Sequence, residues 1–246
     1  ISETTEVSPY VVIGPNVEIG RNVKIYSHVN ISGNTKIGDG TIIFPFASIG
    51  NVPQDLKYKG EDTKLEVGKN NKIREYVTIS PGTEGGGGLT KIGDNCLFMI
   101  SSHIAHDCNV GNNVIIANNV PLGGHVTIED NVVIGGNSAV QQFTRIGKLA
   151  MVGGMTGVLH DVIPYGLSFG NRNYLRGINI IGLKRKKYDN KKIMELDKAY
   201  KKIFSSKNLH KNLSKINGEY KGNDLVTEVT NFISKDKKRP ICTPQS

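Results

Sequence analysis

From Val7 onward an aliphatic residue returns at every sixth position: Val7, Ile13, Ile19, Ile25, Ile31, Ile37, Ile43 and Ile49. The frame resumes at Val67, Ile73 and Ile79 and then shifts by one residue. It runs again through Ile92, Phe98, Ile104, Val110, Ile116, Leu122, Ile128, Ile134, Val140, Ile146, Val152 and Val158. Neither the 3.6-residue period of a helix nor the 2-residue period of a strand gives this spacing. The residue after the anchor is often Gly, as at Gly14, Gly38, Gly93, Gly111, Gly123 and Gly135. The residue four after it is small or β-branched, as at Val17, Val23, Cys96, Cys108, Val114 and Val132.

Each hexad therefore reads as a short strand and a turn, with the anchor inward and Gly or Asn supplying the positive φ of the turn. Three hexads close a triangular coil, and successive coils stack their strands in parallel. One coil cannot bury its own core, so many are needed. The expected fold class is mainly β: a parallel β-helix of hexapeptide repeats over residues 1–164. Cys96 and Cys108 fall in the small inward slot and read as core filler. Two segments break the frame. Residues 50–66, "GNVPQDLKYKGEDTKLE", lack anchors, yet Ile49 and Val67 keep the spacing of one whole coil. This segment is expected to leave a corner and return one coil up. Residues 81–91, "PGTEGGGGLTK", read as a flexible Gly-rich excursion, and long loops on rigid scaffolds commonly carry function.

The frame ends at Pro164. Residues 165–188 are expected to be irregular with a basic end. Helical stripes follow over 190–206 (Ile193, Leu196, Tyr200, Ile203, Phe204) and 224–234 (Leu225, Val229, Phe232, Ile233), with a short third helix over 208–216. Residues 165–246 thus form a linker and a small α-helical domain. The net charge of +9 is concentrated between residues 184 and 238, a distribution suited to nucleic acid, anionic lipid or an acidic protein, or to a solvated helical face. Nucleic acid is disfavoured, because no aromatic residues interleave the lysines and no binding motif is present. No apolar run reaches the ~18–20 residues that cross a bilayer, so no transmembrane segment is expected. The first residues lack the basic and apolar regions of a signal peptide, and Ile1 in place of Met suggests a start beyond the natural one. Three cysteines without CxxC spacing fit a reducing compartment, and a cytoplasmic location is expected.

Residues 101–113, "SSHIAHDCNVGNN", gather His103, His106, Asp107 and Cys108. The spacing is compatible with a metal site, with structural polar residues, or with a general base. Coil arithmetic puts His106 and His125 on vertically adjacent hexads, with strands ~4.8 Å apart, and Gln141 and Gln142 one coil higher. His103 and His106 do not share a helix face and no acidic ligand set surrounds them, so no metal is expected. Histidine is the side chain best matched to proton transfer near neutral pH, which favours the base reading for His106.

"ASIGNVPQDLKYKGE", "IREYVTISPGT", "HIAHDCNVGN", "GGHVTIEDNVVIGG", "AVQQFTRIG", "MVGGMTGV" and "GINIIGLKR" occur in that order. Together they resemble the acyl-ACP–UDP-N-acetylglucosamine O-acyltransferases of lipid A biosynthesis, within the hexapeptide-repeat acyltransferase superfamily. The resemblance covers nearly the whole chain but lacks about the first coil. It implies a left-handed β-helix and a homotrimer with sites between subunits. The implied reaction moves a 3-hydroxyacyl chain from acyl carrier protein to the 3-position of UDP-N-acetylglucosamine, with no tightly bound cofactor. By motif, His106 is the general base, Asp107 its orienting acid and the Gly124 N–H an oxyanion donor. Neighbouring strand residues point to opposite sides, which speaks against the Asp107 role. Asp55, Lys57, His103 and His125 match sugar and phosphate positions, Gln142 matches the pocket wall, and Asn179 and Arg185 match nucleotide-side positions. Lys184, Arg185 and Lys186 match a carrier-protein contact. Gly154 falls where the family sets acyl length, and a Gly there implies a long chain.

Two positions depart from the pattern: Gln141 stands where His is common, and Ile181 where an acidic residue is common. They leave open a 3-amino sugar nucleotide as acceptor. Alternatives are the related UDP-3-O-acylglucosamine N-acyltransferase, which carries an extra N-terminal domain, and a small-molecule acetyltransferase, which has no need of the "PQDLKYKGE" loop. A non-catalytic β-helix scaffold is a further reading.

Overall fold

The computed structural model describes residues 1–205, 209–235 and 238–245. Ser206 and Asn208, at the ends of two expected helices, lie outside the described residues. The hexads form a triangular prism of three parallel sheets. The first face carries anchors such as Ile25, Ile43, Phe98 and Ile116; the second Ile31, Ile104, Leu122 and Val140; the third Ile37, Val67, Val110 and Ile128. Register is in step: His103 pairs with Pro121 and Ile104 with Leu122, one coil apart. The anchors point into a continuous core in which Ile31, Ile43, Ile104, Ile116 and Leu122 are fully buried. Cys96 and Cys108 are buried, free thiols in that core, and burial pushes them up to about 11 and about 12 respectively. Their Sγ atoms donate to the carbonyls of Gly111 and Gly123.

The corners explain the turn chemistry. The residue three after most anchors takes a left-handed φ of 55–68°. Asn is the ordinary L-residue that tolerates this conformation, and the corner joining the third face to the first uses it repeatedly (Asn22, Asn70, Asn95, Asn113, Asn131). The corner joining the first face to the second instead stacks Tyr10, His28, Phe46 and Tyr76, with ring centroids 5.1–5.2 Å apart.

The excursions differ from expectation. Val67 pairs with Ile37 on the third face, and Ile49 lies on the second. The first loop therefore joins consecutive faces of one coil rather than climbing a coil. An 18-residue gap is one coil by count, but extra residues were inserted within a single corner, which spacing cannot distinguish. The loop ends where the strand Lys64–Val67 begins. The second excursion also joins the second face to the third. It is a closed turn rather than a flexible one: its centre is a 3₁₀ turn, Glu84–Gly86, and the N–H groups of Gly86 and Gly88 donate to the Thr83 carbonyl.

Residues 165–188, expected to be irregular, form an antiparallel hairpin (Gly166–Phe169 and Tyr174–Ile178) that extends the first face, followed by helix α1 (Ile180–Arg185). Without anchors at the six-residue period the hairpin left no signal in the repeat. Three amphipathic helices follow: α2 (Asn190–Ile203), α3 (Leu209–Glu219) and α4 (Asp224–Ser234). Asp189 and Asn223 cap α2 and α4 through their side chains, satisfying otherwise orphaned N–H groups. The helices dock on the coil through Arg145. Its guanidinium bonds the fully buried Asp161 at 2.8 Å, donates to the Phe232 carbonyl and lies over the Phe232 ring. The chain then returns: Ile241 bridges Asp161 on the β-helix, and the Cys242 N–H donates to the Asp161 carbonyl.

Arg145→Ala removes one partner of a buried ion pair and is expected to cost about 3–5 kcal/mol. Chemical denaturation checks this; a loss under 1 kcal/mol would show that the helices dock without it.

Candidate active site

One corner, joining the second face to the third, carries both excursions and the histidines. Reading upward, it emits the 50–63 loop, the 81–88 turn, then Asp107, His125 and Phe143 in successive coils. Asp107, His125 and Phe143 have φ of 58°, 60° and 65°. Among the described residues Asp107 is the one carboxylate at a left-handed position. Because the strand has already broken there, Asp107 does not point opposite to His106; its carboxylate turns back onto the imidazole.

His106 Nδ1 lies 2.7 Å from Asp107 Oδ2. The Asp107 side chain is 1% exposed and that of His106 15%. Asp107 also accepts from the Thr83 N–H at 2.9 Å and the Thr83 hydroxyl at 2.6 Å, and its own N–H donates to Thr90 Oγ1. A carboxylate is acceptor-only, so the proton between the pair sits on Nδ1 and the lone pair is on Nε2. Asp55, from the first loop, brings Oδ2 to 4.0 Å from Nε2. Gly124 lies beneath the ring: a Cβ there would stand 2.6 Å from His106 Cε1 and Nε2. The His106 imidazole thus packs directly on the Gly124 backbone.

His125 meets His106 edge-on at 5.1 Å and stacks face-to-face on Phe143 at 4.4 Å. Lys238 Nζ lies 4.2 Å above the far face of Phe143, and Arg239 Nε donates to the Gln142 carbonyl. Desolvation lowers His125 from its ordinary value near 6.5, Asp107 opposes this, and His106 and Lys238 add to the lowering. His103 hydrogen-bonds Thr78 Oγ1 at 2.6 Å; burial, and then His106, lowers it as well. Both imidazoles therefore favour the neutral form.

Asp55, His103, His106, Asp107, Gly124 and His125 converge. Lys57 is exposed on the same loop, and its N–H binds the Asp55 carboxylate. Gln142 sits one coil above Gly124 and is exposed. Other expected site residues lie elsewhere in the chain. Asn179 and Arg185, with Lys186 beside them, line a cavity of about 670 Å³ against Val133, Met151 and Leu167 of the first face, across the prism from His106. Asn179 caps α1 by accepting from the Gly182 N–H and donates to the Leu149 carbonyl. Lys184 is exposed on the same helix. Gly154 lies on the corner joining the first face to the second, and a Cβ there would meet the Gly136 backbone, its carbonyl oxygen at 3.2 Å and its nitrogen at 3.9 Å.

Atoms of His106, Asp107 and His125 lie within 4.8 Å of one another, close enough to hold a metal ion. The 2.7 Å Nδ1–Oδ2 contact has the length of an N–H···O⁻ hydrogen bond. Two ligand atoms each ~2.1 Å from one tetrahedral ion lie farther apart than that. The donor set fits a proton-holding dyad better than a cation.

Sequence reading missed Thr83, Phe143 and Lys238. Thr83 was legible only as part of a Gly-rich loop. Phe143 shares the three-after-anchor position with Asp107 and His125, so coil arithmetic had the signal. Lys238 had none, because it arrives from the end of the chain.

The family model described as UDP N-acetylglucosamine O-acyltransferase, domain 2, matches residues 161–242, and that of the bacterial transferase hexapeptide repeat matches residues 89–124. A Rhizobium etli protein called acyl-[acyl-carrier-protein]–UDP-N-acetylglucosamine O-acyltransferase is 45% identical over 85% of this chain and 78% of its own. A Paracoccus denitrificans protein of the same name is 48% identical over 82% and 77%. Among solved structures, the UDP-N-acetylglucosamine O-acyltransferase of Moraxella catarrhalis superposes with a TM-score of 0.91 at 41% identity, covering 98% of this chain and 93% of that one. The UDP-N-acetylglucosamine acyltransferase of Campylobacter jejuni gives 0.88 at 36%, covering 99% and 97%.

The lowered histidines make stability pH-dependent. Between 6.5 and the lowered folded-state values the unfolded chain binds more protons, so stability falls as pH falls through that window. His103→Gln is expected to flatten this acid-side slope in melting temperature against pH; an unchanged slope would place the titration elsewhere.

Proposed function

The chain belongs to the acyl-ACP–UDP-N-acetylglucosamine O-acyltransferases, which open lipid A biosynthesis, and on that premise we propose how its residues divide the work. The observation that carries the reading is the His106–Asp107 pair, whose unshared nitrogen lies between Gly124 and the Asp55 carboxylate. Nε2 of His106 takes the proton of the sugar 3-hydroxyl. The oxygen attacks the thioester carbonyl directly, and no acyl-enzyme forms. The Gly124 N–H donates to the oxyanion, a contribution whose loss typically costs ~3–4 kcal/mol. Collapse expels the carrier's thiolate, which recovers the proton from His106; with a thiol pKa near 8–9, little acid assistance is needed.

His103 and His125, held neutral by burial, keep donor and acceptor nitrogens for the sugar, alongside Asp55, Lys57 and Gln142. Asn179 and Arg185 act on the nucleotide of a neighbouring subunit's site, Arg185 through the fork geometry that suits a pyrophosphate. Their place across the prism from His106 supports sites between subunits, and the homotrimer follows from the family resemblance. Lys184, Arg185 and Lys186 form an exposed basic strip for the acidic carrier protein. The acyl donor rides on the carrier's phosphopantetheine, and no tightly bound cofactor or metal is needed. The donor is a long 3-hydroxyacyl chain, Gly154 leaving its groove open. The domain boundary falls at Pro164. No helix among the described residues is long and apolar enough to cross a membrane, and we assign the enzyme to the cytoplasm, where its thiols stay reduced. Gln141 and Ile181 keep a second acceptor under test: the 3-amino analogue of the sugar nucleotide.

Turnover is measured with 3-hydroxyacyl carrier protein and either acceptor. His106→Ala is expected to lower kcat by about 10²–10⁴-fold while calorimetry shows the nucleotide sugar still bound. Undiminished turnover would remove His106 as base. Gly154→Met is expected to shift preference toward shorter donors, and an unchanged chain-length profile would separate Gly154 from the acyl groove.

A further inference from the structure

The Gly-rich turn at residues 81–91 has no part in the steps above, yet it covers the carboxylate hydrogen-bonded to His106. Three of its residues bear on Asp107. Thr83, 6% exposed, uses both its N–H and its hydroxyl, one on each carboxylate oxygen. Its hydroxyl binds Oδ2, the same atom that meets His106 Nδ1. Thr90, fully buried, takes the Asp107 N–H and fixes the left-handed corner from behind. Gly86 lies flush against the carboxylate: a Cβ there would stand 2.0 Å from Asp107 Cγ and Oδ2. The turn is itself closed, with Gly82 N–H on the Lys64 carbonyl and Lys64 N–H on the Gly88 carbonyl.

We propose that this turn is a positioning element for the reaction, in which Thr83 and Gly86 clamp the Asp107 carboxylate so that His106 keeps its proton on Nδ1 and its lone pair on Nε2. The inference rests on His106 acting as the base. Asp107 alone has freedom about its side-chain torsions, and a carboxylate at an open corner would exchange His106 for water. With both oxygens bonded to the Thr83 N–H and hydroxyl, only one rotation is open to it, and Oδ2 is held against the ring. The absence of a Cβ at Gly86 lets the backbone exclude water from the pair without displacing it. A residue set that acts through another in this way controls turnover more than binding, since Thr83 is buried and both its polar groups are taken by Asp107.

The test pairs kinetics with the imidazole itself. Thr83→Val is expected to lower kcat about tenfold or more, as small misplacements of catalytic groups do, with KM for both substrates within about twofold. Thr83→Ser, which keeps the hydroxyl, is expected to return to within about twofold of wild type. In an Asp107→Ala background Thr83→Val should cost nothing more, the non-additivity of residues that act as one unit. Gly86→Ala, which keeps the Thr83 side chain but drives a Cβ into the Asp107 carboxylate, should lower kcat similarly, with the lower melting temperature that overpacking brings and a protein still folded at the assay temperature. In nitrogen-15 spectra of the substrate-free protein, His106 should be a single Nδ1–H tautomer that becomes a mixture in Thr83→Val. Wild-type kcat in Thr83→Val or Gly86→Ala, full additivity with Asp107→Ala, or a tautomer indifferent to Thr83 would each overturn the inference. The spectra need no substrate, so a Thr83-dependent tautomer in a chain without turnover would support the clamp and overturn the assigned reaction.

Discussion

Each coil of this protein is buried only because another lies directly above it. The anchor of one hexad packs on the anchor one coil away, as Ile104 does on Leu122 and Leu122 on Val140, and the outer strands have no other partner. That vertical register is the constraint from which the rest follows. It forces a turn at every corner, and the turn forces a left-handed residue. The corners thereby become columns in which side chains three residues after the anchors stand directly over one another.

The columns have been put to different uses. Where Asn repeats, the corner satisfies its own backbone and nothing more. Where aromatic rings repeat, from Tyr10 to Tyr76, they stack on the outside of the prism. At the third corner Asp107, His125 and Phe143 replace the Asn of an ordinary turn, and the left-handed backbone that would suit Asn carries chemistry instead. It bends Asp107 back toward His106, which regular strand geometry forbids. It also sets His125 between an imidazole edge and a phenyl face. Both excursions leave from this corner, so Asp55 and Thr83 reach the dyad from below while Lys238 reaches the column from the chain end.

Much of this was legible before any coordinates. The six-residue period implied the prism, the core slots of Cys96 and Cys108, and the vertical neighbourhood of His106 and His125. The amphipathic stripes of α2 and α4 were equally plain, since both bury one face. The hairpin at 166–178 was not, because its burial comes from extending a sheet already built. The path of the 50–63 loop was misjudged because spacing counts residues and does not report which face receives them. The motif bears only on the Gly124 N–H; that its missing Cβ makes room for the His106 ring was not legible.

What the sequence determined by itself is the period, and a period is a local property: each hexad repeats the same few residue preferences, so it can be read one turn at a time. Which residues complete the site is not local. Asp107 acquires its bond to His106 from a backbone angle, Thr83 arrives across a loop, and Lys238 lies almost a hundred residues from Phe143 along the chain. Asn179 and Arg185 end on the opposite face. Those pairings were decided by the tertiary structure, because hydrogen bonds and ring contacts act over a few ångströms of space and are indifferent to distance along the chain.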